Sequence, residues 1–170
     1  MKAYELFRSC GSDEVDALVL LACEDDEIPE KVAGGVLTYQ QIPLRRFTKL
    51  PEETRKSYVR RTLRDKRAAD LALYVLSAAL TRSSVEMISA FLDHLGLEHE
   101  GPNLSIEGEI AEPPKKTLKA AVDAVLKDFP HREVALYLHA FAAQPDVHWT
   151  TLDERLATDE LLKFEDRSAG

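Results

Sequence analysis

Residues 68–80 run Ala-Ala-Asp-Leu-Ala-Leu-Tyr-Val-Leu-Ser-Ala-Ala-Leu, placing apolar side chains on nearly every face of a helix. Such a helix cannot rest on a surface; other elements have to cover it on several sides. Its apolar length is about half of what a membrane span requires. The chain must therefore build a packed core around this segment. Its 170 residues suffice to bury about 70% of the unfolded surface.

The covering elements read as helices. Only seven glycines occur, while Ala, Leu, Glu and Arg are abundant. A first helix covers about residues 3–8 and ends near Gly11. Ser12 reads as the N-cap of a second, with Asp13 and Glu14 at its positive end and Val15, Leu18, Val19 and Ala22 at helical spacing. The acidic run 24–27 closes it, and Pro29 suits the first position of a third helix. Residues 36–42 have the composition of a strand, but a lone short strand has no mate. They are read as the end of a helix stopped by Pro43. Pro51, followed by Glu52 and Glu53, starts the next. Ser83 and Glu86 have the spacing of a capping box. An apolar stripe of Val85, Ile88, Phe91, Leu92 and Leu95 follows, with Gly96 and Leu97 as a Schellman ending. Leu118, Val122, Val125 and Leu126 make another stripe, as do Val134, Tyr137, Leu138 and Phe141. Thr151 and Glu154 repeat the capping-box spacing before the last apolar residues, Leu152 to Phe164; residues 166–170 read as a frayed end.

The pattern predicts one all-α domain over residues 1–170. It is a compact irregular bundle of about seven or eight helices built from helical hairpins. Sliding the chain by 46 positions sets Leu80 on Leu126, Ile88 on Val134 and Phe91 on Tyr137. That period suits paired-helix arrays, so a short α-solenoid-like array is the alternative. The one long irregular stretch, 97–114, is acidic and holds Pro102, Pro113 and Pro114. It is the candidate subdomain boundary, with Leu104 and Ile106 as its clips to the core.

Charge is the feature that bears on partners. Residues 45–67 hold ten of the 22 basic side chains against three carboxylates, a net +7. The whole chain is −8, which leaves −15 on the rest. On one helix over residues 55–67, Lys56, Arg60, Arg64 and Arg67 fall in a single stripe, with Arg61 on its flank and Tyr58, Val59 and Leu63 toward the core. Clustered charge focuses a field that averaged charge cannot. The acidic runs 24–30 and 98–112 are the expected internal answer to the stripe. What they leave free is a docking surface for an acidic protein partner, or alternatively for nucleic acid phosphates. The negative remainder and the lack of a recognition-helix signature weigh against nucleic acid.

Little else points to chemistry. All five histidines lie between His94 and His148, near Asp93, Glu98 and Glu100, which makes a metal-dependent enzyme a third reading. The spacings match no zinc motif, and Asp93 and His94 point about 100° apart on a helix. Surface and capping roles are expected for these histidines, a half-buried one for His139, and a packing one for Trp149. Asp70 reads as a capping or ion-pairing group. No Gly-rich phosphate loop, nucleophile elbow or Cys/His arrangement occurs, so no catalytic residue, metal or cofactor is expected. Cys10 and Cys23 match no metal or redox spacing, lie in apolar helical surroundings and read as buried reduced thiols. No signal-peptide pattern opens the chain, and the reading is a cytoplasmic protein with no membrane association.

Two stretches carry a likeness to other proteins: Phe91-Leu92-Asp93-His94-Leu95-Gly96-Leu97-Glu98-His99 and Val134-Ala135-Leu136-Tyr137-Leu138-His139. Through them residues 50–141 resemble a group of bacterial all-helical proteins of unknown function. The resemblance implies a helical fold and transfers no functional residues. The role read from the sequence is interaction rather than catalysis: an adaptor or regulator that engages a protein partner or a second copy of itself through the basic helix 56–67.

Overall fold

The computed structural model describes residues 1–106 and 108–164. The expected frayed end at 166–170 lies outside them. The described residues form an all-α fold of ten helices: α1 (Ala3–Ser9), α2 (Ser12–Ala22), α3 (Ile28–Tyr39), α4 (Leu44–Phe47), α5 (Glu52–Leu63), α6 (Ala69–Ser83), α7 (Val85–Leu95), α8 (Lys115–Asp128), α9 (His131–Ala142) and α10 (Thr150–Thr158). A 3-10 turn, Lys66–Ala68, leads into α6. The excess over the expected seven or eight comes from short helices such as α4. Residues 36–39 do end a helix.

The chain divides into two compact units, Met1–Ala79 and Leu80–Phe164. The division falls within α6, while the acidic stretch 97–114 lies wholly in the second unit. No single helix among the described residues is long and apolar enough to cross a membrane.

The first unit is organised around α5, which packs against α1, α2 and α3. Its core takes Phe7 from α1, Val15 and Leu18 from α2, Val32 and Val36 from α3 and Leu63 from α5. Ile42 and Phe47 join Val36 under Leu50, Tyr58 and Val59. In α6 the buried residues Ala72, Val75, Leu76 and Ala79 form one stripe at helical spacing, and Leu71 and Leu73 are half-buried. Tyr74 and Asp70 stay exposed, so this helix keeps one solvent face despite its composition. The phenol of Tyr74 is not wasted on water, because Lys31 donates to its oxygen at 3.0 Å.

Gly34 and Gly35 stand inside α3. A Cβ at Gly35 would lie 2.3 Å from Cδ2 of Leu71, so glycine lets Leu71 seat against the α3 backbone. A Cβ at Gly34 would meet nothing within 4 Å.

In the second unit α8 packs on α7, α9 and α10, and α9 packs on α10. Phe91, Tyr137 and Phe141 meet one another and Phe141 meets Trp149, mostly edge-to-face, with ring centroids 5.0–5.8 Å apart. Trp149 is buried, and its indole N–H donates to the Ile110 carbonyl at 2.8 Å. Ile110 also bridges Val147 and donates to the Asp146 carbonyl. It is therefore Ile110, not Leu104 or Ile106, that clips the acidic stretch to the core; Ile106 is exposed. Part of that stretch is regular: β1 (His99–Glu100) and β2 (Asn103–Leu104) pair antiparallel across a turn with Gly101 at positive φ. The 46-residue offset survives in the element bounds, since it carries α7 onto the first eleven residues of α9.

Helix ends differ from expectation in instructive ways. Gly96 takes the left-handed conformation, and Leu97 N–H donates to the Leu92 carbonyl at 3.1 Å, as a Schellman ending requires. The side-chain caps read at Ser12, Ser83 and Thr151 do not form. Gly11, Ser84 and Trp149 occupy those N-cap positions without a capping side-chain bond. At α10 the cap comes from far away, as Glu112 accepts from Thr151 N–H at 2.7 Å. A carboxylate from another segment does what a local hydroxyl could have done. In α7 Met87 is buried along with Ile88, Phe91, Leu92 and Leu95, whereas Val85 is exposed.

His139 is buried rather than half-buried. Its Nε2 hydrogen-bonds the Leu162 carbonyl at 3.0 Å, and the Phe164 ring meets it edge-on. Its Nδ1 has no hydrogen-bond partner among the described residues. Burial holds the imidazole below its ordinary pKa, with the Leu162 bond acting the other way. The unfolded chain thus takes a proton more readily than the folded one. Stability contributed here is present above the unfolded pKa of about 6.5 and is lost as the pH falls below it. Urea unfolding at a series of pH values should show that decline, and His139→Phe should flatten it. In α3, Gly34→Ala should stabilise by about 0.5–1 kcal/mol through helix propensity and reduced unfolded-state freedom. Gly35→Ala should gain less, because Leu71 must move, and the same unfolding assay compares the two.

Candidate functional site

The basic segment does not form one helix over residues 55–67. α5 ends at Leu63, Arg64 is its C-cap, and Arg67 stands in the 3-10 turn. Asp65 causes the break. Its carboxylate accepts from the Arg67 backbone N–H at 2.9 Å and from the Arg67 guanidinium, offering the backbone an alternative to another helical turn. These bonds from Arg67, side chain first and backbone second, lower the Asp65 pKa to about 2.

The structure gives each residue of the predicted stripe a separate fate. Lys56 pairs along its own helix with Glu52 at 3.1 Å and Glu53 at 3.2 Å. Arg60 makes a two-point contact with Asp16 of α2, Nε to Oδ1 at 2.7 Å and Nη2 to Oδ2 at 2.5 Å. The side chains in this pair are 18% and 27% exposed, so it is partly withdrawn from water and is the strongest of these ion pairs. Arg64 donates to two carbonyls at the carboxyl end of α1, Phe7 at 3.0 Å and Cys10 at 2.9 Å. Arg8 reciprocates, donating to the Arg64 carbonyl at 2.9 Å. Arg67 reaches the Tyr39 carbonyl at the end of α3. Three arginines thus sit at the negative ends of α1, α5 and α3, whose last carbonyls have no helical donor. The expected acidic runs 24–30 and 98–112 do not supply these partners; Asp16, Glu52, Glu53, Asp65 and backbone carbonyls do.

Arg61 remains. It is exposed, lies 5.6 Å from the Tyr58 ring centre, and has no carboxylate partner among the described residues. Lys66 is likewise exposed and free of a carboxylate among them. Both line a concavity of about 870 Å³ with Arg8, Arg60 and Arg64. Gly11 and Ser12, at the amino end of α2, complete one wall, and Asp65 is the carboxylate in it. The concavity collects five cations against one acid, and its two unanswered charges face an opening to solvent. It brings together Arg60, Arg61 and Arg64 of the sequence-predicted set. Lys56 lines a separate groove, and Arg67 lines neither. Arg8 was missed, because a single arginine in a short helix 52 residues upstream of Arg60 gives no signal by spacing alone.

The histidines do not assemble a metal site. Among the described residues no three His, Cys, Asp or Glu side chains come together in an arrangement that could hold an ion. His99 pairs with Asp93 at 3.0 Å, and its pKa is raised by that bond and by the Gly101 carbonyl. Cys10 is buried as expected, whereas Cys23 is only half-buried, and the two are not joined by a disulfide.

The chain is thus an all-α protein whose first unit carries a basic concavity. No protein-family model, no curated protein and no solved structure matches it.

The Asp16–Arg60 pair fixes the wall of the concavity. Bonding to Arg60 holds the Asp16 carboxyl below its ordinary pKa, against the opposing effect of burial. Stability contributed by this group is present above the unfolded pKa of about 4 and is lost as the pH falls toward the depressed folded value. Asp16→Asn should cost about 1–2 kcal/mol in urea unfolding at neutral pH, because it leaves a partly buried guanidinium half-answered. The same variant should lose that part of the acid-induced decline.

Proposed function

We propose that this protein is a non-enzymatic adaptor or regulatory protein that docks an acidic segment of a protein partner in the concavity of Arg8, Arg61 and Lys66. The observation that carries the reading is the pair of exposed, unanswered cations, Arg61 and Lys66, on a concave wall whose other cations are already engaged. A concave cationic surface attracts acid more strongly than the same charges spread over a convex one. The site is local rather than a track along the molecule, which suits a short segment. The remaining −15 of formal charge would repel the flanks of a long duplex.

A labelled acidic dodecapeptide and a single-stranded oligonucleotide of equal charge provide the test, by fluorescence anisotropy at ~50 and ~200 mM salt. The peptide should bind, and more weakly at the higher salt. Arg61→Glu with Lys66→Glu should weaken it about tenfold or more, as unfavourable pairs replace favourable ones. Both residues are exposed, so the double variant should keep its circular dichroism and unfolding midpoint. Binding of the oligonucleotide alone would favour nucleic acid as the partner; binding of neither would reject the site.

A further inference from the structure

The basic concavity has a neighbour. α2 and α5 run side by side in opposite directions, so the amino end of α2 meets the carboxyl end of α5 around the concavity. Their other halves flank a second depression of about 430 Å³. Its floor is apolar, with Val19 from α2, Cys23 at the α2 C-cap, Val32 from α3, Phe47 from α4 and Val59 from α5, and Leu20 of α2 stands at its edge. Its charged rim is balanced, Asp16 and Glu52 against Arg55 and Lys56, so it attracts neither sign. Leu20 is 74% exposed there, the most exposed large hydrophobic residue among those described. A single exposed leucine is ordinary; one beside an open apolar floor is an incomplete cover. The Arg60–Asp16 pair divides the two depressions, Arg60 lining the concavity and Asp16 the groove.

We infer that the two depressions are one binding strip, and that its occupant is a protein segment joining an acidic block to one bulky apolar residue. This rests on the docking reading above and adds a second anchor to it. Charge complementarity places the acidic block in the concavity. The neutral rim and apolar floor take the hydrophobic side chain, and Leu20 closes over it. The spacing follows from α2 itself. Ser12 lines the concavity and Leu20 the groove, eight residues apart, or about 12 Å at 1.5 Å per residue. An extended segment covers about 3.3 Å per residue. The apolar residue therefore follows or precedes the acidic block by three or four residues. Acid alone gives weak, salt-sensitive attachment, and the apolar anchor supplies register.

A peptide series tests the spacing. Each peptide carries a block of four glutamates and a phenylalanine placed one to eight residues away, in both chain directions, on a Ser/Gly background; a control lacks the phenylalanine. Anisotropy with the full chain should show a binding optimum at three or four residues, about tenfold tighter than the control, in line with burial of one large apolar side chain. Leu20→Glu should abolish that gain and leave the control peptide unchanged, while Arg61→Glu with Lys66→Glu should weaken every peptide. The bound optimum peptide should also slow alkylation of Cys23, followed by mass spectrometry. Equal affinity at all spacings, with the control binding as well as the rest, overturns the inference and leaves the docking reading standing. Failure of every peptide rejects both. A dimer seen by sedimentation and dissolved by Leu20→Glu would make a second copy the cover and overturn the inference as well.

Discussion

Arg64 and Arg8 each donate to the carboxyl end of the helix that carries the other, and the first unit is arranged around that exchange. The last carbonyls of a helix lack an intrahelical donor and carry the negative end of its dipole. A guanidinium answers both needs at once, because its planar fork holds several donors and its charge is permanent. α1 is only seven residues long and could not persist alone. Seating its carboxyl end on Arg64 fixes where it meets α5. The Arg67 bond to Tyr39 treats the end of α3 in the same way. The basic segment is therefore first a set of helix-end ligands and only secondarily a charged surface.

That order explains why the charge is distributed as it is. α5 touches three other helices while burying few large apolar side chains, with Leu63 fully inside and Tyr58 and Val59 half-buried. Polar contacts with defined direction supply specificity that so small an apolar face cannot. The Asp16–Arg60 pair sets the register of α2 against α5, and the Arg64 bonds set that of α1. Lys56, nearer the amino end of α5, meets glutamates of the same helix, a cheap arrangement that fixes nothing distant. In the concavity the cations with neither a carboxylate nor a carbonyl partner among the described residues, Arg61 and Lys66, lie past the middle of α5 and beyond its end. There the neighbours are helix amino and carboxyl ends rather than acidic side chains.

Much of this organisation is legible in the sequence, and the exceptions share a cause. Gly96 followed by Leu97 marks a helix end because left-handed backbone needs glycine, a requirement set within a few residues. Apolar spacing in α8 and α9 reports buried faces for the same local reason. Ser12, Ser83 and Thr151 mislead because many residues can satisfy a helix start, and a remote carboxylate such as Glu112 competes with the nearby hydroxyl. The cationic stripe is misread at Arg64 and Arg67 because periodicity assumes that the helix continues, whereas Asp65 breaks it with a single side-chain bond. Arg61 reads as a flank residue in the sequence, yet its lack of a carboxylate partner among the described residues depends on what its neighbours bind, which no spacing encodes. The groove beneath Leu20 is less legible still, because its floor draws on α2, α3, α5 and Phe47 together.

The location of the acid follows from the same competition. Asp16 and Asp65 stand within one helix length of the arginines they answer in space, and each also has a structural duty. The runs 24–27 and 98–100 lie on turns and around the short ribbon, where Asp25 accepts from the Glu27 backbone N–H and Glu27 pairs with Lys31 at 2.9 Å. Moving them onto the basic segment would return only a few tenths of a kcal/mol per exposed pair while ordering flexible side chains. A cation left beside a concave wall gains from a ligand that brings several carboxylates at once, since their ordering is shared along one segment. An internal pair of surface residues offers no such advantage. Within the concavity the charge asymmetry of the sequence thus persists at Arg61 and Lys66, which no carboxylate among the described residues answers.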